Sequence, residues 1–370
     1  MEEQQLKELF KKYHEGTCTE EERAVLEDWY LRFNEEELDI RPIRIKAIGK
    51  RIFRQLPGNE ADFITMGLKL AAAAVTIGIL FMVALNIIMP DKTTMKSKTA
   101  HTIDPGYNQA ILTLANGKRI ELNKASTGQI ASQQGSTIIK KGDGEIAYSQ
   151  ESPNKQAVDE KNKVTIPFGG QWQLVLSDGS KVWLNSGSTL EFPTNFKNQK
   201  ERNVYLTGEA YFEIAKDKVH PFIVKTKNQQ VTVLGTHFNI NSYTDEPSTK
   251  TTLAEGKIQI LSESGIKKIL MPGEQALLSN NAISVTNADI EETLAWKNGY
   301  FRFNDESIQS IMRKISRWYN VEVKYISDAP NQSLNGRISR SKDLDQVLKA
   351  LEATKSVHFK VEGRRITVMK

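Results

Sequence analysis

The sequence predicts a multi-domain membrane protein: a short all-α head, one transmembrane helix, a mainly-β domain and a C-terminal α+β module. Three observations predict this class. Apolar residues recur at helical spacing in the first sixty residues, an apolar run fills positions 63–89, and from about residue 110 the hydrophobic period becomes two. The order of these patterns places helices before the membrane and strands after it.

The apolar run at 63–89 contains one charge, Lys69, and about twenty uncharged residues follow it. That length spans roughly 30 Å of hydrocarbon as a helix. A cleaved signal peptide would lie at the extreme N-terminus and end at small residues, so we expect this segment to be retained. A buried soluble helix is the alternative, and the absence of a polar face disfavours it.

The charges on either side of the run predict its orientation. Basic residues are denser before it than after it, which favours a cytoplasmic N-terminus and a periplasmic C-terminus in the inner membrane. The only cysteine, Cys18, then lies on the cytoplasmic side, so the exported part is predicted to fold without disulfides.

The head, residues 1–62, is predicted to form three short amphipathic helices. The first ends near Gly16, the second begins at a capping box formed by Thr19 and Glu22, and the third follows Pro42. Residues 2–39 hold thirteen acidic against five basic residues, whereas 41–54 hold six basic residues and no acid. We expect the basic stretch to rest on anionic lipid and the acidic stretch to contact a basic protein surface. Alternatively, the charges only solvate a self-contained bundle.

Beyond the membrane, turn dipeptides separate strand-like runs. Two hairpins at 112–123 and 174–185 are near copies, with Asn-Gly and Asp-Gly in their turns, which predicts type I′ turns. The repetition favours stacked hairpins in a sandwich or solenoid-like arrangement, with a linker and first repeat at 90–165 and a main β domain at 166–290. Residues 124–163 are predicted to form loops with a few short strands, whereas 203–206 and 210–214 are predicted as two separate strands.

The last part, residues 296–370, is predicted to be a βαββαβ-like module. Apolar residues follow helical spacing in 307–319 and 344–351, and strand-like runs surround both segments. A final hairpin turns through Glu362 and Gly363.

Several motifs beyond the membrane carry a resemblance to a known family. They are GQWQLVLSDGSKVWLNSGS at 170–188, LTGEAYFEI at 206–214, PFIV at 221–224, VLGTHFNI at 233–240, TTL at 251–253, PGEQA at 272–276 and WKNGYF at 296–301. Together they resemble the FecR family of membrane-anchored anti-sigma regulators, in the version common in Bacteroidota. The C-terminal module is similar to the short N-terminal domain of secretins and TonB-dependent receptors.

The resemblance implies partners on both sides of the membrane. The head would sequester an extracytoplasmic-function sigma factor and release it on a signal from an outer-membrane TonB-dependent transporter, whose signalling domain would contact the C-terminal module. The lipid bilayer is a further partner, and no direct contact with nucleic acid is implied. The sign of regulation and the nutrient sensed stay open. Aromatic anchors usually dominate such contacts, so we predict that an apolar anchor in the head covers the sigma factor. Its residues, several of which could instead close the head's own core, are Leu9, Phe10, Tyr13, Leu26, Trp29 and Tyr30.

Enzymatic signatures are weak in this sequence. It contains neither a short-spaced metal motif nor Gly-x-Ser-x-Gly, so we predict no metal, no cofactor and no hydrolase activity. Some relatives in the family cleave themselves at a Gly-Thr bond, and Gly235-Thr236 matches that site; a plain strand turn is the alternative. A different function, a membrane-anchored glycan-binding module, would use Trp172 and Trp183 to stack on sugars.

Overall fold

The computed structural model describes residues 103–369, with gaps at 134–135, 151–159, 198, 281 and 327–331, together with Thr19. The chain divides into two compact units, 1–94 and 95–370, and the described residues other than Thr19 all belong to the second. Among the described residues, no helix is long and apolar enough to cross a membrane. The predicted span at 63–89 and the predicted head helices lie outside them.

The described part of the second unit is mainly β, with 24 strands and three helices. The strands are β1 (Tyr107–Asn108), β2 (Ile111–Thr113), β3 (Arg119–Glu121), β4 (Gly128–Gln133), β5 (Ser136–Gly142), β6 (Glu145–Gln150), β7 (Lys161–Thr165), β8 (Gly170–Val175), β9 (Lys181–Leu184), β10 (Thr189–Pro193), β11 (Arg202–Glu213), β12 (Phe222–Lys225), β13 (Gln229–Val233), β14 (His237–Ser242), β15 (Thr249–Glu255), β16 (Ile258–Ser262), β17 (Lys267–Leu270), β18 (Glu274–Ser279), β19 (Ala282–Asn287), β20 (Tyr300–Ser307), β21 (Glu322–Tyr325), β22 (Ser333–Ser339), β23 (His358–Glu362) and β24 (Arg365–Met369). The helices are α1 (Ile290–Leu294), α2 (Ile308–Tyr319) and α3 (Leu344–Glu352).

Strands β2 to β19 form a two-sheet sandwich. In the first sheet the strands are ordered β3-β2-β7-β10-β11-β12-β13-β16-β17. In the second they are ordered β4-β5-β6-β8-β9-β11-β14-β15-β18-β19, and β1 also pairs with β8. From β12 onward, successive hairpins alternate between the two sheets. The mainly-β prediction is confirmed. The two copied hairpins lie in different sheets, β2–β3 in the first and β8–β9 in the second.

Strand β11 connects the two sheets. Its first half pairs with β10 and β12 in the first sheet, and its second half pairs with β9 and β14 in the second. The crossing occurs at Gly208, which has a φ of 91° and lies against Ser188. The prediction of two separate strands at 203–206 and 210–214 was therefore wrong, because a left-handed glycine redirects the strand without ending it.

The two copied hairpins share one turn geometry, but it is not the predicted type I′. Gly117 and Gly179 have a φ of 83°, whereas neither Asn116 nor Asp178 is among the residues with positive φ. Each loop therefore has three residues, with glycine alone in the left-handed region. The Asn116 and Asp178 side chains instead accept the backbone N–H two residues later, at 3.0 Å in both turns.

The segment predicted to be mostly loop contains a regular meander, β4-β5-β6. Ile138 and Ile146 are fully buried in the sandwich core, and Ser136 and Thr137 are buried beside them. Serine, threonine and lysine obscured the alternation in the sequence, but backbone pairing needs no particular side chain, so two buried isoleucines fix the register.

The C-terminal module contains both predicted helices. Strand β20 pairs with β22, and β21, β24 and β23 form a second small sheet. Helix α2 begins at the N-cap Ser307 and ends at Asn320, which is left-handed with a φ of 50°. The apolar faces of α2 and α3 meet in a second hydrophobic core, distinct from that of the sandwich.

Candidate functional site

The module contacts the sandwich through the second half of α2. Arg317 Nη1 donates to both carboxylate oxygens of Asp245, at 2.9 and 2.8 Å, and its Nη2 donates to Glu246 at 2.6 Å. Arg313, one helical turn earlier, donates to the other oxygen of Glu246 at 2.7 Å. Residues four apart lie on one helix face, so both arginines reach the same acidic turn between β14 and β15. We call these four residues the ion-pair cluster.

In the ion-pair cluster, the pKa values of Glu246 and Arg317 are both shifted in the direction that favours the charged form. Burial alone would raise the pKa of the Glu246 carboxyl, but the hydrogen bonds from Arg313 and Arg317 outweigh burial and lower that pKa. Burial likewise opposes the charge of Arg317, yet the attraction of Tyr243 and Glu246 raises its pKa. The Arg317 guanidinium lies 3.9 Å from the centre of the Tyr243 ring.

A third arginine, Arg340, is buried where the module, the sandwich and the segment around Trp296 that connects them meet. Its Nη1 donates to the Trp296 carbonyl at 2.7 Å, and its Nη2 donates to Asn185 Oδ1 at 3.0 Å. The guanidinium stacks on Trp318 at 3.6 Å. Burial lowers the pKa of Arg340 to about 10, so the side chain is still protonated at neutral pH. Its Nε has no hydrogen-bond partner within the described part of the chain.

Glu209 of β11 connects this arginine to the middle of the second sheet. Its two carboxylate oxygens accept from Asn185 Nδ2 at 2.8 Å and from Asn239 Nδ2 at 3.0 Å. The Asn239 Oδ1 in turn accepts from Trp296 Nε1 at 3.3 Å. Glu209 lies in β11, Asn239 in β14 and Asn185 directly after β9, so the pairing of these adjacent strands places the three side chains within contact distance. The result is a continuous polar network from sandwich to module.

A polar cavity of about 300 Å³ lies along this network, at the lower limit for small-molecule sites. Its charged walls pair with one another: Lys314 donates to Glu306 at 2.7 Å, and Arg302 donates to Asp289 at 2.9 Å. No group of three or more His, Cys, Asp or Glu in the described residues could hold a metal ion. The arrangement therefore resembles an interface between folded parts. We call this interface the junction; it consists of the ion-pair cluster, Arg340 and the residues that Arg340 contacts, and the hydrogen-bond network around Glu209.

The predicted self-cleavage site, Gly235-Thr236, lies in the connection between β13 and β14. Gly235 has a φ of 146°, and Thr236 is 3% exposed. A Cβ built on Gly256 would lie 2.9 Å from Thr236 Oγ1 and 3.1 Å from Gly235 O, so the hydroxyl and the carbonyl face the same small space. The hydroxyl donates to the Lys257 carbonyl at 3.2 Å.

The remaining predicted site residues are those for sigma binding and for glycan binding. The sigma-binding set, Leu9, Phe10, Tyr13, Leu26, Trp29 and Tyr30, lies outside the described residues. Trp172 is 2% exposed in the sandwich core, so it cannot stack on a sugar. Trp183 packs against Tyr211 and lies under the Lys297 ammonium, 4.2 Å from the ring centre. The glycan-binding alternative therefore loses the aromatic pair on which it rested.

The sequence did not reveal the junction residues. Arg313 and Arg317 share a helix face, and Asp245 and Glu246 are adjacent, but some seventy positions separate the two pairs. Arg340 follows a strand in a polar stretch, where an arginine is ordinarily solvated. Both arginines lie on the polar face of α2, opposite its apolar residues, so no local pattern marked them as partners of a distant acidic turn.

Comparisons with known proteins agree with these two folded parts. Residues 162–259 match the family model described as FecR protein, and residues 300–368 match the model described as FecR, C-terminal. No curated protein matches the chain. Two crystal structures of a candidate anti-sigma factor from Parabacteroides distasonis ATCC 8503 are similar to it, each at 29% identity and a TM-score of 0.53. They cover 56% and 57% of this chain and 98% and 99% of the solved chains.

Proposed function

The chain belongs to the FecR family, and from this membership we propose that it is a single-pass inner-membrane regulator that sequesters an extracytoplasmic-function sigma factor. Residues 1–62 bind the sigma factor in the cytoplasm, 63–89 cross the membrane, and the sandwich and module lie in the periplasm. The module receives the signal from a TonB-dependent outer-membrane transporter, and the signal releases the sigma factor.

The observation that carries this proposal is the likeness to the candidate anti-sigma factor over nearly its whole length, combined with both family matches. The acidic stretch at 2–39 supports it, since thirteen acidic and five basic residues give this stretch a net charge of −8, which suits a basic partner.

The module offers a surface suited to a partner protein. Strand β21 has one neighbour among the described strands, β24, and so presents an open edge. Tyr325 at its end is 37% exposed, and Ile326 next to it is 59% exposed. An open edge beside exposed apolar side chains favours pairing with a strand of the transporter's signalling domain.

Capture by the full-length protein tests the proposal. Tagged full-length chain, purified in detergent from its own host, should retain a sigma factor identified by mass spectrometry. Replacing Trp29 and Tyr30 with alanine should abolish capture and raise sigma-dependent transcription without a signal. The matched control is Tyr205→Ala, which removes an exposed aromatic side chain from the sandwich. A wild-type protein that captures no sigma factor would refute the proposal.

We also propose self-cleavage at Gly235-Thr236, supported by the shared space in front of the Gly235 carbonyl and the Thr236 hydroxyl. The hydroxyl oxygen adds to the carbonyl carbon, the carbon–nitrogen bond breaks, and an ester with a free Thr236 amine results. Water then hydrolyses the ester, leaving a Gly235 carboxylate and restoring the hydroxyl. Strands β13 and β14 pair in different sheets, so the two fragments would stay associated.

A denaturing gel tests self-cleavage. Wild-type protein and Thr236→Ser, which keeps a hydroxyl, should each give two fragments, whereas Thr236→Ala should run as one band. A single full-length band for all three proteins would remove the proposal.

A further inference from the structure

The first residues of the described body pass between the module and the sandwich. Ile103 is 7% exposed and belongs to the core of the module, although the module itself begins at Tyr300. Ala110 is 1% exposed and belongs to the core of the sandwich. The chain therefore leaves one hydrophobic core and enters the other between these two positions.

Backbone hydrogen bonds fix this passage at both ends. The Ile103 carbonyl accepts from Leu344 N at 3.0 Å, at the start of α3, where N–H groups lack partners within the helix. Tyr107 N donates to the Gly169 carbonyl at 2.9 Å, and Gly169 N donates to the Arg317 carbonyl at 2.7 Å. Gly169 is thus bonded to the passing segment on one side and to α2 on the other.

Gly106 lies in the narrowest part of the passage. A Cβ at this position would lie 2.7 Å from the Gly169 carbonyl oxygen and 2.7 Å from the Trp318 ring. Two contacts hold the Trp318 side chain in its position. Its Nε1 donates to the Arg340 carbonyl at 2.9 Å, and its ring stacks on the Arg340 guanidinium. The backbone at 106 is therefore clamped between module and sandwich.

We propose that residues 103–108 form a strap by which the module holds the chain where it enters the folded body, and that moving the module off the sandwich frees the strap. Everything N-terminal to residue 103 is joined to the body through this segment. The strap lies against Trp318 and is bonded through Gly169 to the backbone carbonyl of Arg317, and the side chains of both residues belong to the junction. A partner that displaces α2 therefore loosens both. The inference deepens the proposed function and rests on it for the direction of signalling alone.

Hydrogen exchange on the full-length protein in detergent micelles, without a sigma factor, tests the strap. In Arg317→Ala, which breaks the ion-pair cluster from the module side, the Tyr107 amide should exchange at least tenfold faster than in wild type. In Ile103→Ala, which loosens the strap itself, the Leu344 and Gly169 amides should accelerate by a similar factor. The coupling must run in both directions, because each part holds the other.

Two matched controls separate the strap from general destabilisation. Arg365→Ala removes an exposed arginine that pairs with Glu322 inside the module, and Lys118→Ala changes an exposed side chain in a turn of the sandwich, outside the strap. Both should exchange as wild type does at the same amides. If Ile103→Ala does not fold, Ile103→Val serves with a smaller expected acceleration.

Unchanged exchange at Tyr107 in folded Arg317→Ala, or at Leu344 in the folded Ile103 variant, would overturn the strap. Because no sigma factor takes part, this outcome is independent of sigma capture. A strap that opens as expected in a protein that captures no sigma factor would leave the inference standing and refute the proposed function.

Discussion

Arg340 illustrates how far the junction depends on single side chains. Its guanidinium makes hydrogen bonds to Trp296 and Asn185 and stacks on Trp318, which brings three segments far apart in sequence to one planar group. A lysine ammonium has neither the fork geometry nor the flat face that these contacts use.

Replacing Arg340 with alanine should lower the free energy of unfolding by about 3 kcal/mol, because two hydrogen bonds from a buried charged donor and one stack are lost. Arg340→Lys should recover little of this. Urea denaturation checks both, with Arg337→Ala as the control, since exposed Arg337 only stacks on Tyr300 at 3.7 Å. Equal losses for Arg340→Ala and Arg337→Ala would contradict the assignment.

The lowered pKa of Glu246 predicts that acid weakens the junction. A carboxyl whose folded pKa lies below its unfolded value stabilises the fold above the unfolded value, and this stability is lost as the pH falls through the folded pKa. The ordinary value for Glu246 is 4.5, so the loss should begin below about pH 4.5. Melting temperatures from pH 6 to pH 3 should fall less steeply for Glu246→Gln than for wild type.

The control for this pH dependence is Glu322→Gln. Arg365 also lowers the pKa of Glu322, but that pair is exposed, where solvent screens it. The melting profile of Glu322→Gln should therefore follow that of wild type more closely. A melting profile of Glu246→Gln that overlays that of wild type would contradict the prediction.

At the scale of elements, the helices and strands that depend on local sequence patterns could be predicted from the sequence. Helices α2 and α3 were predictable because their apolar spacing and N-caps are written in adjacent residues, with Ser307 and Asp343 accepting from the first turn. Strand β11 was not, because its continuity through Gly208 depends on pairing with four strands from both sheets. The contacts of the junction could not be predicted for the same reason, since the residues that form them lie far apart in sequence.

The crossing at Gly208 yields a test with an internal control. Gly208→Ala should cost about 1–2 kcal/mol for the left-handed backbone and a further 1–3 kcal/mol for crowding, because a Cβ would lie 2.6 Å from Ser188 Oγ. Gly117→Ala has a similar φ of 83° and nothing within 4 Å, so only the first cost applies. Chemical denaturation of both variants measures the difference, and equal losses would mean that the crossing is not crowded.

At the scale of the whole molecule, the proposed topology assigns the head and the body to different compartments. The apolar run at 63–89 and the charges on either side of it predict this topology, and both family matches fall on folded parts that the strand and helix patterns outlined. The contact between those parts could not be foreseen, since no local pattern records which side chains meet across an interface.

The single cysteine makes this topology measurable. In intact spheroplasts a membrane-impermeant maleimide should leave Cys18 unlabelled until the membrane is permeabilised. A variant with Cys18→Ser and Lys118→Cys should be labelled at once, because Lys118 lies in an exposed turn of the sandwich. Labelling of both proteins in intact spheroplasts would place both sites on the same side.

The burial of Ile103 in the module has a consequence for biogenesis. The ribosome makes this residue long before Leu344 and the rest of the core that surrounds it, so the module cannot close until almost the entire chain has been made. During that interval this apolar residue stays uncovered, as in other folds dominated by contacts between distant residues. A chain cut short by a premature stop would lack that core and keep Ile103 exposed permanently.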